Sequence, residues 1–343
     1  MNIPNIKPRK LVWIDEEMPL MGHIAFGIID RGTNVIQVRA TTLCHLNCIY
    51  CSVDAGPFSK HRVTEYMVKL DWLVEWVRAI VKFKNVDDIE ALIDGVGEPL
   101  TYPYIVELVQ ELKNIKGVKV VALQTRGYML THSLVKELEE AGLDRINLSI
   151  DTLDPVKARL LQGAEWFNVQ EVIEITEYIL NETKIDVHIA PVWIPGLNDK
   201  DIEDIILWAK KIGAGRQWPA LGIQKYLVHK YGRKPRGVKP MSWDEFWRRL
   251  RELEVKYNVR LIHDKKAFNF HAAPSPRPPY RKGESIKVRI VEDGWLKGEK
   301  LGIPPRRDRV ITIVSADNIP IGSSIRVRII DNKDNIFIAK PIL

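Results

Sequence analysis

The sequence predicts an α/β fold: a partial or full (β/α) barrel, followed by a small C-terminal antiparallel β-barrel. From about residue 33, short apolar runs typical of buried strands alternate with stretches whose apolar residues have helical spacing. Near residue 272 the pattern changes, and short runs then alternate between apolar and polar residues. About six β-α units in succession favour a barrel over an open sheet for the first part.

The elements of the first part follow in order. Short strands are predicted at LVWI, AFGIID and NVIQVRA. The helices predicted from apolar spacing are VTEYMVKLDWLVEWVRAIVKF, YPYIVELVQELKNIKG, SLVKELEEAG, VQEVIEITEYILNE, KDIEDIILWAKKIG and SWDEFWRRLRELEVKY. Gly117 and Gly142 close two of them. The strands between and after them are IEALIDG, VKVVALQTRG, RINLSID, DVHIAPVW, LGIQKYLV and VRLI.

The domain organisation follows from the change of pattern. Residues 1–271 are predicted to form one large domain, with a core at about 33–225 and an extension at 226–271. Residues 272–280 are predicted to be a linker, because proline fixes φ and removes backbone donors. Residues 281–343 hold the runs SIKVRIVED, DRVITIVSA, SSIRVRIID and NIFIAKPIL, the pattern of a small OB-like barrel.

Composition indicates a folded protein rather than a disordered one, since 45% of the 343 residues are hydrophobic. The 28% of charged residues and the few cysteines and methionines are typical of a heat-adapted, archaeal-like protein. The opening MNIPNIKPRK lacks an apolar signal, and no run approaches the roughly 18 to 20 apolar residues that span a bilayer. We therefore expect a cytoplasmic protein with reduced thiols and no membrane partner.

Positive charge is concentrated in the second half of the chain. The net charge is +7, and QKYLVHKYGRKPRGVKP, residues 224–240, contains six lysines and arginines and no acid. From Tyr280 onward there are 13 Lys and Arg against 8 Asp and Glu. This distribution favours a polyanionic partner, with a merely solvated basic face as the alternative.

All three cysteines of the chain lie in TTLCHLNCIYCSV, as Cys44, Cys48 and Cys51. Zinc sites generally use two ligand pairs, and a second pair is absent, so His45 would have to complete the site. Iron–sulfur clusters generally take four thiolates. With three, one iron of a [4Fe–4S] cluster stays open to a small molecule, which is an arrangement for catalysis.

The spacing C-x3-C-x2-C, with Tyr50 before the last cysteine, resembles the signature of the radical S-adenosylmethionine (radical SAM) enzymes. The resemblance runs from about residue 33 to 225 and implies a barrel of radical SAM type. It implies that Cys44, Cys48 and Cys51 hold a [4Fe–4S] cluster, that SAM binds the open iron near Tyr50, and that reductive cleavage of SAM gives a 5′-deoxyadenosyl radical. An electron donor such as a ferredoxin or flavodoxin is then required.

Further motifs extend the resemblance. DGVGEPL is similar to the glycine-glycine-glutamate motif that binds the SAM amino group, with Val96 in place of the first glycine. ALQTRG, INLSIDT and PVWIPGLND are similar to later family motifs, with Arg126 where the family has asparagine. The SAM-binding residues implied by these motifs are Gly97, Glu98, Pro99, Gln124, Thr125, Ser149, Asp151, Trp193, Ile194 and Asn198. No catalytic side chain is assigned beyond the cluster.

The absence of further cysteines argues against several branches of the family. Methyl-carrying cysteines and additional clusters both need thiols that this chain does not have. The C-terminal barrel resembles the TRAM domain of tRNA-modifying enzymes, which implies contacts to RNA, although a barrel that only caps the first domain is the alternative. The candidate RNA-binding residues are Lys225, Tyr226, Lys230, Tyr231, Arg233, Lys234, Arg236, Arg306, Arg307, Arg309, Arg326 and Arg328.

These observations predict a radical SAM enzyme that modifies a nucleotide base in RNA, tRNA in particular, by a reaction such as C-methylation. One alternative is a radical SAM enzyme for a small molecule or peptide, similar to the molybdenum-cofactor cyclising branch, although that branch usually carries additional C-terminal cysteines. A second alternative is a non-catalytic RNA-binding protein with a structural cluster. The tryptophans at apolar helix positions, Trp72, Trp76, Trp243 and Trp247, are predicted to lie in the core.

Overall fold

The computed structural model describes residues 8–342. The opening segment MNIPNIKPRK, which was predicted to lack an apolar signal, therefore lies mostly outside the described residues. The chain divides into two compact units. The first unit comprises Met1–Cys44, Phe58–Lys119 and Ala272–Leu343, and the second comprises His45–Pro57 and Val120–His271.

The secondary structure alternates strands and helices before it becomes all-β. The strands are β1 Lys10–Ile14, β2 Gly27–Asp30, β3 Val35–Arg39, β4 Thr64–Val68, β5 Ile89–Ile93, β6 Val118–Thr125, β7 Arg145–Leu148, β8 Asp186–Ile189, β9 Val192–Trp193, β10 Gln224–Lys225, β11 Ser285–Asp293, β12 Lys300–Ile303, β13 Ile311–Ile313, β14 Ser324–Asp331 and β15 Phe337–Pro341. The helices are α1 Leu70–Lys84, α2 Ile105–Lys113, α3 His132–Glu140, α4 Pro155–Gln162, α5 Val169–Glu182, α6 Asp199–Lys211 and α7 Trp243–Tyr257.

In the first unit, β3 pairs with β2 in antiparallel and with β5 in parallel orientation. Helices α1 and α2 pack against each other, and β1 forms a separate parallel pair with β4. The sequence predicted a single helix over VTEYMVKLDWLVEWVRAIVKF, which is wrong for its first part. Thr64–Val68 is a fully buried strand, because pairing with β1 satisfies its backbone, and the helix begins only at Leu70.

In the second unit, β6, β7 and β8 pair in parallel, and β9 pairs in parallel with β10. Helices α3 to α6 follow these strands in the chain, so the predicted α/β alternation is confirmed. Helix α4 was not predicted, although Asp154 caps its start, Pro155 occupies its first turn and Gly163 ends it in the left-handed region. The strands predicted at LGIQKYLV and VRLI are reduced to the short β10 and to irregular chain.

The C-terminal region is a closed five-stranded barrel in the order β11-β12-β13-β15-β14. Its core includes Val288, Ile290, Ile313, Val327 and Phe337. Four pairings are antiparallel, but β13 and β15 are parallel, where the sequence predicted an antiparallel barrel. After β13 the chain passes to the far side of the barrel, where β14 pairs with β11. It then returns as β15, which lies between β14 and β13 and runs parallel to β13. Strand β12 was missed, because KLGI is short and carries little β-branched character.

The barrel is attached to the N-terminal part of the first unit by main-chain hydrogen bonds. The Val310 N–H donates to the Met21 carbonyl at 2.8 Å, and the Phe337 N–H donates to the Gly22 carbonyl at 2.9 Å. The predicted linker is held as well, since Lys84 Nζ donates to the Pro274 carbonyl at 2.9 Å. The proline-rich segment is therefore packed along the first unit.

None of the helices in the described part of the chain has both the length and the apolar character of a membrane span.

Candidate functional site

The cysteines lie where β3 gives way to an irregular loop. We call residues 45–57 the cysteine loop; it belongs to the second unit, and Cys44 precedes it. Cys48 is buried, Cys44 and Cys51 are half-buried, and none of the three forms a disulfide. The Cys48 thiol donates to Gln162 Oε1 at 2.8 Å, and the Ala55 N–H donates to Cys51 Sγ at 3.2 Å.

Burial raises the pKa of the Cys48 thiol to about 12, although the positive charges of Arg126 and Arg233 oppose the rise. Without a bound metal, this thiol is therefore protonated at neutral pH. Cys48 binds iron as a thiolate, so metal binding must release that proton. Within the part of the chain that the structure describes, no three His, Cys, Asp or Glu side chains are arranged around a single metal ion. A cluster that gives each cysteine its own iron does not require such convergence.

In the first unit, the GVGEP turn packs directly on the backbone that precedes Cys44. The Glu98 N–H donates to the Leu43 carbonyl at 2.7 Å. A Cβ at Gly97 would lie far inside van der Waals contact of the Thr42 and Leu43 carbonyl oxygens. Only glycine therefore fits here, because the two backbones approach without room for a side chain. Glu98 is buried, and its Oε1 accepts from the Leu100 N–H, where Pro99 starts a short 3-10 turn.

Arg62 supports the GVGEP turn, although the sequence analysis did not identify Arg62 as a candidate. Its fully buried guanidinium donates to the Thr42 carbonyl at 2.9 Å and to the Val96 carbonyl, and it pairs with Glu65 at 3.3 Å. The same guanidinium lies 4.6 Å from the ring centroid of Trp295, which follows β11. Arg62 thereby joins the GVGEP turn to the C-terminal barrel within one unit.

In the second unit, the Asp151 carboxylate is the centre of a buried network. Its Oδ2 accepts from the Tyr50 hydroxyl, from Arg126 Nη1 and from Gln162 Nε2, and its Oδ1 accepts from the Val192 N–H at 2.8 Å. Burial, opposed by Arg126 and reinforced by Asp151, raises the pKa of Tyr50 well above its usual range, so the phenol stays a donor. The carboxylate thus positions Tyr50 inside the cysteine loop.

The remaining candidate SAM residues of this unit cluster at the carboxyl ends of its strands, where α/β enzymes build their sites. Gln124 and Thr125 end β6, Ser149 follows β7, and Trp193 ends β9. The Asn198 amide donates to the Asp151 carbonyl at 3.0 Å and to the Val192 carbonyl at 2.9 Å, and its oxygen accepts from the Ile194 N–H at 2.7 Å. This side chain builds the turn that ends β9.

One cation of the basic run at residues 224–240 binds the protein itself instead of facing solvent. Arg233, predicted to bind RNA, pairs with Asp54 at 2.8 Å and donates to the Cys48 and Ala55 carbonyls, while its N–H donates to the Cys51 carbonyl at 2.8 Å. Arg233 therefore fastens residues 224–240 to the cysteine loop. A Cβ at Gly232 would lie 2.9 Å from the Ser52 carbonyl oxygen, which shows how closely the two segments approach.

The other candidate RNA-binding residues divide into exposed and buried groups. Tyr226 is 2% exposed and Arg309 is 7% exposed, so neither offers its side chain to a partner. Lys225 is half-buried. The exposed candidates are Lys230, Tyr231, Lys234, Arg236, Arg306, Arg307, Arg326 and Arg328.

The core prediction for the tryptophans is wrong for two of them. Trp72 and Trp76 are half-buried on α1. Trp243 and Trp247 are 52% and 38% exposed on α7, because the helix buries Phe246 and Leu250 instead. The helical spacing alone did not reveal which face is covered.

Comparison with known proteins places the chain in a family. The sequence model of the Radical SAM superfamily matches residues 38–209. An uncharacterized protein of Methanocaldococcus jannaschii is 42% identical, over 98% of this chain and 82% of that protein. A GTP 3′,8-cyclase of Alkaliphilus oremlandii is 36% identical, over 52% of this chain and 53% of the cyclase. Streptococcus suis SuiB bound to the precursor peptide SuiA shares the fold, with a TM-score of 0.50 and 17% identity over 71% of this chain and 48% of that chain.

The described residues fit the cofactors of this family. Cys44, Cys48 and Cys51 form no disulfide and would hold a [4Fe–4S] cluster, and the GVGEP turn is closed to any side chain at Gly97. When bound, the cluster and SAM supply radical chemistry, and the chain's own residues position them. This chain is a member of the radical SAM superfamily, which uses a [4Fe–4S] cluster and S-adenosylmethionine.

Proposed function

We propose that this radical SAM enzyme modifies a nucleotide base in RNA, tRNA in particular, and that its C-terminal barrel holds the RNA backbone. Methylation of a base carbon is the reaction we favour, with electrons from a ferredoxin or flavodoxin. The observation that carries the proposal is one face of the barrel, which we call the cationic face. Its members are Lys287 and Arg289 of β11, Arg326 and Arg328 of β14, and Lys340 of β15, all exposed.

Strand register places these cations side by side. Lys287 is directly opposite Arg326, and Arg328 is directly opposite Lys340. Among the described residues of β11 and β14, the outward positions from Ser285 to Arg289 and from Ser324 to Arg328 carry no acid. Like charges in opposed positions repel each other, so the face costs stability unless an anion neutralises it. A phosphate backbone is an anion that spans several strands.

A concavity at the edge of the cationic face adds to this support. It has a volume of about 360 Å³, and its cations are Lys287, Arg289 and Arg307, with Pro304 and Ser324 beside them. Three cations around one recess can hold a phosphate group from several sides. Because Trp295 contacts Arg62, the barrel that carries this surface also contacts the support of the GVGEP turn.

The activity test uses the reconstituted full-length enzyme with SAM, a reductant and bulk tRNA from the host and from a deletion strain. Nucleosides are compared by mass spectrometry, and 5′-deoxyadenosine is measured alongside. With tRNA from the deletion strain, we expect the reaction to release 5′-deoxyadenosine and the tRNA to gain a new nucleoside. With tRNA from the host, which is already modified, we expect neither. Cleavage of SAM without any change in RNA would contradict an RNA substrate.

The binding test removes charge from the cationic face with Lys287→Gln, Arg326→Gln and Arg328→Gln combined. Each lost phosphate contact lowers the slope of log affinity against log salt by roughly 0.7 to 0.9. We therefore expect a slope reduced by about 2 and tRNA affinity reduced more than about tenfold. The matched control is Lys82→Gln, Lys116→Gln and Lys119→Gln, three exposed cations elsewhere in the same unit. Equal losses in both variants would show unspecific charge attraction.

A second candidate is a small-molecule or peptide substrate, with a barrel that serves only stability. The observation in its favour is the 36% identity to a GTP 3′,8-cyclase, which spans about half of each protein. It predicts that GTP or a peptide, rather than tRNA, stimulates 5′-deoxyadenosine formation. It also predicts that the variant of the cationic face retains full activity. Absence of 5′-deoxyadenosine with every substrate would favour a non-catalytic RNA-binding protein.

A further inference from the structure

Helix α7 presents two tryptophans to solvent. Trp243 and Trp247 lie one turn apart on the same face, with ring centroids 5.8 Å apart and ring planes inclined by 21°. Large aromatic side chains rarely stay this exposed in a folded protein without a partner, because each one leaves apolar area in water. Phe246 between them is buried and holds the helix in place.

The basic segment, residues 224–240, contacts this tryptophan pair at its start, and its end leads into α7. At its start, Lys225 Nζ lies 4.8 Å from the ring centroid of Trp243. At its end, Lys239 is four residues before Trp243 in the chain. The nearest acids in sequence, Asp244 and Glu245, lie in the first turn of α7, and Glu245 is paired with Arg249 at 3.1 Å. One cation of the basic segment, Lys225, therefore lies against the pair.

We propose that Trp243 and Trp247 form a stacking platform for unpaired bases of single-stranded RNA, with the basic segment holding the adjoining phosphates. Every base has a π-face, so aromatic platforms bind single strands with little dependence on sequence, and cations along the strand supply the backbone contacts. A second apolar protein surface would gain from the tryptophans but would leave the surrounding cations unpaired. This inference rests on the proposed RNA substrate and adds a base-binding site in the second unit.

The test measures fluorescence anisotropy of labelled ten-nucleotide oligomers with the reconstituted full-length protein. One oligomer is oligo(A), and the other is an abasic oligomer with the same number of phosphates. We expect Trp243→Ala with Trp247→Ala to weaken oligo(A) binding at least about tenfold. Binding of the abasic oligomer should change by less than about twofold, because its phosphates still meet the basic segment.

Two further variants make the test specific. Trp243→Phe with Trp247→Phe keeps two aromatic faces and should restore most of the oligo(A) affinity. Val255→Ala, on the same helix and 85% exposed, should leave both affinities unchanged. Thermal unfolding of each variant shows whether it is folded. If the double alanine variant is not, Trp247→Ala alone replaces it and should weaken binding of oligo(A) more than binding of the abasic oligomer.

The inference is overturned if both oligomers lose affinity equally in the alanine variant, or if neither does. Its failure is distinguishable from failure of the proposed function by the tRNA assay. Modified tRNA together with normal oligo(A) binding by the alanine variant removes the platform and leaves the proposed function in place. Ring-dependent oligo(A) binding without any change in tRNA nucleosides leaves the platform and removes the proposed function.

Discussion

Each unit supports its own candidate cofactor-binding residues by different means. In the first unit, backbone meets backbone: the turn at Gly97 and Glu98 lies against the Thr42 and Leu43 carbonyls. In the second unit, side chains make the contacts: Asp151 accepts from three side-chain donors, and the Arg233 guanidinium reaches two carbonyls and a carboxylate. The contact at Gly97 depends on space, whereas the contacts of Asp151 and Arg233 depend on charge. Substitutions at Gly97 should therefore destabilise the protein for steric reasons, and substitutions at Asp151 and Arg233 for electrostatic reasons.

The largest effect is expected from Asp151→Asn. The change preserves shape but takes the counter-charge of the buried Asp151 carboxylate away from the half-buried guanidinium of Arg126. Breaking a buried pair in this way should lower the free energy of unfolding by about 4 kcal/mol. Urea unfolding of the metal-free protein measures it. Arg126→Gln added to Asp151→Asn should recover part of the loss, and a loss below about 1 kcal/mol in the single variant would contradict an electrostatic role.

The steric counterpart is Gly97→Ala. The added methyl would collide with two carbonyl oxygens of the backbone, and we expect a loss of about 3 kcal/mol in the same urea measurement. Gly95→Ala is the matched control, because its Cβ would lie 3.2 Å from the Thr41 carbonyl oxygen, a contact that a small shift relieves. Similar losses at both glycines would mean that the space at Gly97 is not decisive.

Motif reasoning located strand ends but not the contacts that support them. Cysteine spacing and the GVGEP turn are local in sequence, so the positions of Cys44 and Gly97 could be predicted. Arg62 and Arg233 act on segments far away in the chain, and no periodicity or motif reveals such contacts. Arg233 also shows that a count of charged residues does not reveal what each one contacts. It belongs to a basic run, yet its guanidinium binds the cysteine loop.

The fold shows the same division. Helices with long apolar periodicity were predicted, whereas the eight-residue α4 and the four-residue β12 were too short to give a pattern. The buried strand β4 was taken into a helix because its apolar residues continue those of α1. Pairing with β1 decides its conformation, and that partner lies about fifty residues earlier.

Arg233→Ala should have a smaller effect on folding and a clear one on metal retention. Loss of the Asp54 pair should cost about 2 kcal/mol, since Arg233 is only partly screened by solvent. Residues that orient metal ligands from outside change metal affinity by about tenfold or more. We therefore expect faster iron release to a chelator from the reconstituted variant. Arg236→Ala, an exposed cation of the same segment, should match the wild type.

The effect that is smallest per unit of change is a pH slope, and both units contribute to it. Burial lowers the pKa of His23 in the first unit to about 3 and that of His188 in the second to about 4. Unfolded histidine takes up a proton below about pH 6.5, whereas these folded ones do not until much lower pH. The unfolded state thus binds more protons, and the free energy of unfolding falls as pH drops from 6.5 toward 4.

The expected slope is about 1.4 kcal/mol per pH unit for each histidine, as measured by urea unfolding between pH 6.5 and 4.5. His188→Gln should remove one such contribution and leave that of His23. A slope that stays unchanged in this variant would show that His188 does not control acid stability.

The hydrogen bond from Phe337 to Gly22 has a consequence for biosynthesis. The second unit ends at His271, so all of its residues are synthesised before β11. Gly22 has to wait for a strand more than three hundred residues later. Because chains fold as their segments emerge, the second unit can become native during translation, whereas the first can do so only after the barrel has been synthesised. Cys44 belongs to the late unit, which sets cluster assembly after synthesis of the barrel.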